Sequence, residues 1–150
     1  RSYETVLRKL VPGVEITARP CPLFVPLVEA GYVDHSALDK QQVTRLVIAQ
    51  YLAEVREAGV DTLILGCTHF PLLSEAIAAY MGEGVTLIDS GAAGARALAA
   101  LLEKNSLRSP RRSFGRTACY ASGDPVEFAR VAELFLRRDM SNTVFKTAVL

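Results

Sequence analysis

A short apolar run, Asp61-Thr-Leu-Ile-Leu-Gly66, stops at a Gly-Cys pair and is followed by Pro71 and a helical pattern. A strand of so few residues with successive apolar positions is buried on both faces, the mark of a central strand in a parallel sheet. Val85-Thr-Leu-Ile-Asp89 repeats the pattern. Between the two runs, residues 72–80 have helical spacing, and Pro71 suits a first helical turn. After the second run, Ser90-Gly-Ala-Ala-Gly94 reads as a turn into an Ala/Leu-rich helix ending at Lys104. Strand, helix, strand, helix predicts an α/β fold with parallel strands and right-handed crossovers. Ligands of such sheets bind beyond the carboxyl ends of the strands, which selects the loops at 66–70 and 90–94.

The rest of the chain fits around this unit. Residues 1–10 read as an amphipathic helix, broken by Pro12-Gly13. Residues 14–17 alternate like a strand. Residues 20–31 hold three prolines and predict a structured loop ending in a short helical turn. Residues 39–58 predict a helix with Val43, Leu46, Val47, Tyr51 and Val55 on its apolar side, stopped by Gly59. Residues 105–113 read as a polar loop, 116–121 as a strand, and 125–138 as a last helix opened by Gly123-Asp124-Pro125. The final twelve residues show no pattern.

Half of the 150 residues are hydrophobic and 22% are charged, an ordinary globular balance. The apolar runs are far too short to cross a bilayer, which takes about 20 residues. The opening residues contain no signal-peptide core, so the expected location is the cytoplasm. The net charge of +1 conceals an asymmetry, −4 over residues 1–90 and +5 over 91–150. Much of the basic excess lies in Arg108, Arg111, Arg112 and Arg116. That run is short and lacks interleaved aromatics, so it predicts a solvated connector and no nucleic-acid partner. Three cysteines, Cys21, Cys67 and Cys119, form no CxxC pair, and their odd number argues against a disulfide framework. Cys67-x-His69 is poor zinc-ligand spacing, so no metal is expected.

Cys67 closes a buried strand and precedes a helix. A helix N-terminus presents free N–H groups and partial positive charge, which lower a thiol pKa and can hold a carboxylate. Thr68 adds a hydroxyl, and His69 a group that titrates near neutrality. The competing reading is a buried structural cysteine in a tight turn, with His69 as a turn residue.

The string Leu65-Gly-Cys-Thr-His-Phe-Pro-Leu-Leu73 resembles the second cysteine motif of glutamate racemases. Cys21-Pro-Leu-Phe-Val-Pro-Leu-Val-Glu29, Leu87-Ile-Asp-Ser-Gly91 and Ser122-Gly-Asp-Pro125 with Phe128 resemble three further segments, in the same order. The resemblance covers about residues 3–138. His69 favours glutamate racemases over the related aspartate racemases, which tend to carry Glu there; an aspartate-type relative is the alternative within the superfamily.

The resemblance implies an isomerase that uses neither cofactor nor metal. Two cysteines flank the substrate α-carbon, one as thiolate base and the other as thiol acid, and D-glutamate goes to peptidoglycan and so to cell-wall biogenesis and cell shape. Cys67 matches the second cysteine, Thr68 a substrate-binding threonine, and His69 a residue that assists the cysteine. Cys67, Thr68 and His69 would line the glutamate site. Glu29 matches a glutamate associated with catalysis, acting on His69; the alternative is a structural acid capping its loop.

The family's first cysteine, in a Cys-Asn-Thr loop, and its opening Asp-Ser-Gly have no counterpart in the sequence; Asp89-Ser-Gly91 matches the family's later copy. The expected architecture is therefore α/β, with parallel-sheet three-layer lobes of the aspartate/glutamate racemase type. Residues 1–88 would form most of the second lobe, carrying Cys67, and residues 89–150 the C-terminal part of the first. The implied partners are glutamate, the missing N-terminal half, and another copy of the chain in a homo-oligomer such as a dimer. Alone, the chain is expected to be inactive. A catalytically silent fragment serving as an interaction or assembly module is the reading from a different class.

Overall fold

The computed structural model describes residues 2–111, 113 and 115–148. Arg112 of the basic run, with positions 1, 114, 149 and 150, lies outside the described residues. The chain divides into two compact units, Arg1–Ala100 and Leu101–Leu150.

The first unit runs α1 (Ser2–Leu10), α2 (Phe24–Glu29), α3 (Leu38–Glu57), β1 (Thr62–Leu65), a 3-10 turn (Phe70–Leu73), α4 (Ser74–Met81), β2 (Thr86–Asp89) and the start of α5 (Ser90–Lys104). β1 and β2 pair in parallel, in a register running from Thr62 opposite Thr86 to Leu65 opposite Asp89. Their carboxyl ends therefore lie side by side, and the Cys67 loop and α5 leave from the same end of the sheet. Only Leu65 of the two strands is buried, and Ile88 is 37% exposed, where burial on both faces was expected. The sheet has two strands among the described residues, so no flanking strand covers either outer edge.

The core of this unit is helical. α3 buries Thr44, Ile48, Leu52 and Val55, a stripe at helical spacing. It packs on α4, which buries Ile77 and Met81. Each such aliphatic side chain contributes roughly 1.5–3 kcal/mol on burial. The buried stripe is rotated from the expected one: Val43 and Leu46 are exposed, and Thr44 is inside. A buried hydroxyl is costly only when unpaired. Thr44 Oγ1 donates to a backbone carbonyl, with Lys40 O at 3.1 Å and Tyr32 O at 3.2 Å. Gly59, at φ +66°, ends α3 in the left-handed conformation that its position demands.

Two further expectations change. Residues 14–17 have the alternating half-buried and exposed pattern of a strand but form no ladder, having no partner strand among the described residues. The short helical turn expected within residues 20–31 is α2, which tolerates Pro26 because a proline in the first turn removes an N–H that has no intrahelical acceptor. No turn separates β2 from α5. Asp89 Oδ1 accepts from Gly91 N at 2.7 Å and caps the helix directly.

The second unit holds β3 (Ala118–Ala121), α6 (Pro125–Leu136) and β4 (Val144–Thr147). Asp124 caps α6 through Val126 N at 2.9 Å, with Pro125 in the first turn. β4 arises from the segment without a sequence pattern and pairs in parallel with β3. Phe145 of β4 meets Phe128 of α6 edge-on, centroids 5.7 Å apart.

Candidate active site

The site is assembled by two elements 40 residues apart in the chain. After Leu65, the turn Gly66-Cys67-Thr68-His69 enters the 3-10 turn at Phe70. Gly66 faces the Tyr3 ring of α1, which a Cβ at this position would meet at 3.4 Å, an ordinary contact distance. Beyond His69 the chain is pinned by the core. Leu72 and Leu73 are buried, and Phe70 lies edge-on to Phe24 at 5.1 Å. Phe24, 1% exposed, also meets Tyr51 of α3 at 5.6 Å. Val28 is fully buried, which fixes the end of α2 and with it the neighbouring Glu29.

Glu29 Oε1 lies 3.3 Å from His69 Nε2. On the other side of the ring, Nδ1 is 3.2 Å from Thr68 Oγ1 and 3.9 Å from Cys67 Sγ. Thus Glu29, His69, Thr68 and Cys67 come together. A carboxylate at Nε2 places the proton of a neutral imidazole there and leaves the Nδ1 lone pair facing the hydroxyl and the thiol. If His69 is protonated, the same carboxylate stabilises the cation, and Nδ1–H points toward the thiol. The group can therefore take a proton from Cys67 and return it. Cys67 is half-buried and reduced, and the His69 side chain is 20% exposed, so both are reachable by a small molecule.

The helix after Cys67 does not offer free N–H groups in the manner expected. The first segment is a four-residue 3-10 turn, and the N-terminus of α4 is already occupied. Asp34 Oδ2 accepts from Glu75 N at 2.8 Å and Oδ1 from Ala76 N at 3.0 Å. Asp34 N also donates to Leu72 O at 3.2 Å. Sequence reasoning missed Asp34. A carboxylate capping a helix 40 residues downstream leaves no local signal, whereas a cap adjacent to its own helix does.

The other thiols have different surroundings. Cys21 is buried, and its Sγ lies 3.6 Å from Arg19 O. Burial pushes its thiol above the ordinary 9.0, and the Arg19 charge offsets this only in part. Cys119 is half-buried in β3. Among the described residues, no three His, Cys, Asp or Glu side chains are grouped to hold a metal ion, and no helix is long and apolar enough to cross a membrane. A cavity of about 240 Å³ lies beside α3 and α4, lined by Asp34, Thr44, Arg45 and Glu75 among others; none of Cys67, Thr68 or His69 borders it.

The Asp/Glu/Hydantoin racemase family matches residues 20–98. A glutamate racemase of Geobacter metallireducens is 42% identical over 135 residues, 90% of this chain and 48% of that protein. The structure of a Francisella tularensis glutamate racemase in complex with D-glutamate aligns with TM-score 0.77 and 32% identity, over 94% of this chain and 50% of the other. Glutamate racemase isoform RacE1 of Bacillus anthracis aligns with TM-score 0.79 and 26% identity, over 99% and 52%. The chain spans about half the length of the relatives it matches, and shares their α/β fold with parallel strands.

Proposed function

The chain belongs to the Asp/Glu/Hydantoin racemase family, and on that premise we propose that it is the C-terminal, Cys67-bearing part of a cofactor-independent glutamate racemase. The observation that carries this reading is the contact series Glu29–His69–Cys67, a carboxylate, an imidazole and a thiol in line at the end of a parallel strand.

In this reading Cys67 Sγ, as thiolate, takes the α-proton from one face of glutamate, and in the reverse direction its thiol returns one. His69 holds the proton that the thiol gives up, and Glu29 stabilises the resulting imidazolium. Thr68 orients the substrate carboxylate. The α-proton is very weakly acidic, so abstraction needs preorganised donors around the developing carbanion in a water-poor site. The thiol on the opposite face comes from the other half of the protein, as does part of the carboxylate shell. Residues 1–88 then form most of one lobe, and residues 89–150 add to its companion. Apolar surface at Leu98 and Leu101 of α5, each 56% exposed, suits such a completion. A dimeric cytoplasmic enzyme supplying D-glutamate for peptidoglycan is the setting this implies.

Circular dichroism of D- to L-glutamate conversion tests the reading. The chain alone should give no useful turnover. Mixed with a polypeptide carrying the Asp-Ser-Gly and Cys-Asn-Thr motifs, it should turn over glutamate, and Cys67→Ser should remove that activity by orders of magnitude, since each ~1.4 kcal/mol of lost transition-state stabilisation is about tenfold. Full activity with Cys67→Ser would refute the assignment. A mixture that forms a complex without turnover would favour a silent assembly module.

A further inference from the structure

His69 Nδ1 has two suitors: Thr68 Oγ1 at 3.2 Å and Cys67 Sγ at 3.9 Å. With Glu29 at Nε2, the neutral ring offers one lone pair at Nδ1, and a lone pair in the ring plane takes one good hydrogen bond. The shorter contact belongs to the hydroxyl. The nitrogen that should receive the Cys67 proton is therefore held by Thr68.

We infer that Thr68 is a positioning residue that keeps Cys67 protonated until a carboxylate ligand draws its hydroxyl away from His69. The inference rests on the reading of Cys67 and His69 given above. The step is a proton transfer. The Thr68 O–H turns from Nδ1 to a carboxylate oxygen of the ligand. The Cys67 S–H proton then moves to Nδ1, giving thiolate and imidazolium, with the Nε2–H remaining toward Glu29. A carboxylate is a stronger acceptor than a neutral imidazole, because hydrogen bonds to ionised groups are shorter and roughly twice as strong. An acid such as glutamate is thus the right chemistry to take the hydroxyl, and ligands without a carboxylate would leave the thiol idle. Coupling of this kind keeps a reactive thiolate from forming in the unoccupied site.

Of the other ionisable groups near this loop, Asp89 of β2, opposite Leu65, accepts from Gly91 N at 2.7 Å, and Asp34 accepts from Glu75 N and Ala76 N. α2 contributes Glu29 alone, the Tyr3 ring of α1 lies against Gly66, and α4 contributes Glu75, paired with His35 at 3.6 Å, and Tyr80, whose hydroxyl donates to Ala49 O. The 3-10 turn carries none.

Ultraviolet absorbance of the thiolate, titrated in the 150-residue chain and corrected with Cys67→Ser, reads the ionisation of Cys67 without a reagent that a ligand would block. Thr68→Val should lower the pH of half-ionisation, raising the thiolate fraction at neutral pH about threefold to tenfold, the scale of one ordinary hydrogen bond. Thr68→Ser should restore the wild-type curve. Thr68 is exposed, so these changes leave the core untouched; circular dichroism verifies folding, with Thr68→Ala as the substitute should Val fail to fold. In the mixture with the polypeptide carrying the Asp-Ser-Gly and Cys-Asn-Thr motifs, again corrected with Cys67→Ser, raising L-glutamate to saturation should move the wild-type curve in the same direction and add nothing to Thr68→Val. An unchanged curve for Thr68→Val, a Ser variant that behaves like Val, or a wild-type curve indifferent to glutamate would each overturn the inference. His69→Ala separates the two levels. If, placed on Thr68→Val, it leaves Cys67 ionisation where Thr68→Val alone has it, the Cys67–His69 pairing itself falls, and the inference with it. If it raises the half-ionisation pH while Thr68→Val does nothing, the inference alone falls.

Discussion

Glu29 Oε1 stands 3.3 Å from His69 Nε2, a contact made across 40 residues of sequence. Its two ends are unequally sheltered, the histidine 20% and the glutamate 50% exposed. An exposed ion pair of this kind adds little to stability, about 0–1 kcal/mol. Its value lies in fixing the imidazole tautomer.

Replacing Glu29 with Gln keeps an acceptor at Nε2 but removes the charge that supports the imidazolium. In the completed enzyme, Glu29→Gln or His69→Ala should reduce kcat most in the direction that begins with proton abstraction by Cys67. A loss of about tenfold to a hundredfold matches one charge-assisted hydrogen bond, ~1.5–3 kcal/mol. The enantiomers have equal free energy, so kcat/KM must fall equally in both directions, and the asymmetry will show as a split between kcat and KM. Equal kcat losses in both directions would make these residues structural.

Alkylation with peptide mass mapping should label Cys67 before Cys119 and well before Cys21. Cys67 is half-buried beside an imidazole, while Cys21 is buried with a raised pKa. Glutamate should slow labelling of Cys67 only. Labelling led by Cys21 would contradict the burial assigned to it.

Cys21 should make the fold sensitive to alkali. Its folded pKa lies above its ordinary value of 9.0, so the unfolded chain releases this proton first. The contribution is intact below about pH 9 and is lost as pH rises toward the folded pKa. Urea unfolding followed from pH 8 upward should show stability falling, with a shallower fall in Cys21→Ala, itself less stable at pH 8 through the cavity left behind. Identical slopes for the two proteins would show that Cys21 ionises freely.

Asp34→Ala should destabilise the first unit by about 1 kcal/mol, up to about 2, because it uncaps α4. Asp34→Asn, which retains one acceptor oxygen, should recover part of the loss. Denaturant midpoints decide it; a neutral Asp34→Ala would mean that water replaces the cap at no cost.

The α/β pattern was legible in the sequence because β1, β2 and the helices after them carry strong local signals: apolar runs, Pro71, Gly59. Cys67, Thr68 and His69 were legible because they are consecutive. What escaped depends on distant partners. The true buried stripe of α3 includes Thr44, whose burial is tolerable only because its hydroxyl has a backbone carbonyl to donate to, with Lys40 O and Tyr32 O both in reach. The alternating segment at 14–17 needed a neighbouring strand to become one. β4 carries four residues with one inward aromatic, Phe145, too short for a period to show. Asp34 caps a helix it does not adjoin. Each is decided by tertiary placement, which a window along the chain does not contain.

The parallel pairing of β1 with β2 has a consequence for the order of folding. Parallel neighbours cannot close as a hairpin; the 20 residues between Leu65 and Thr86 must cross over before the first ladder bond can form. Such non-local closure is slow compared with helix formation. The Cys67 loop opens that crossover, so during synthesis it emerges well ahead of the strand that completes its support. Until Asp89 has left the ribosome and paired with Leu65, the thiol is an ordinary cysteine on an unfinished chain. The reactivity proposed for it would be acquired only after that pairing.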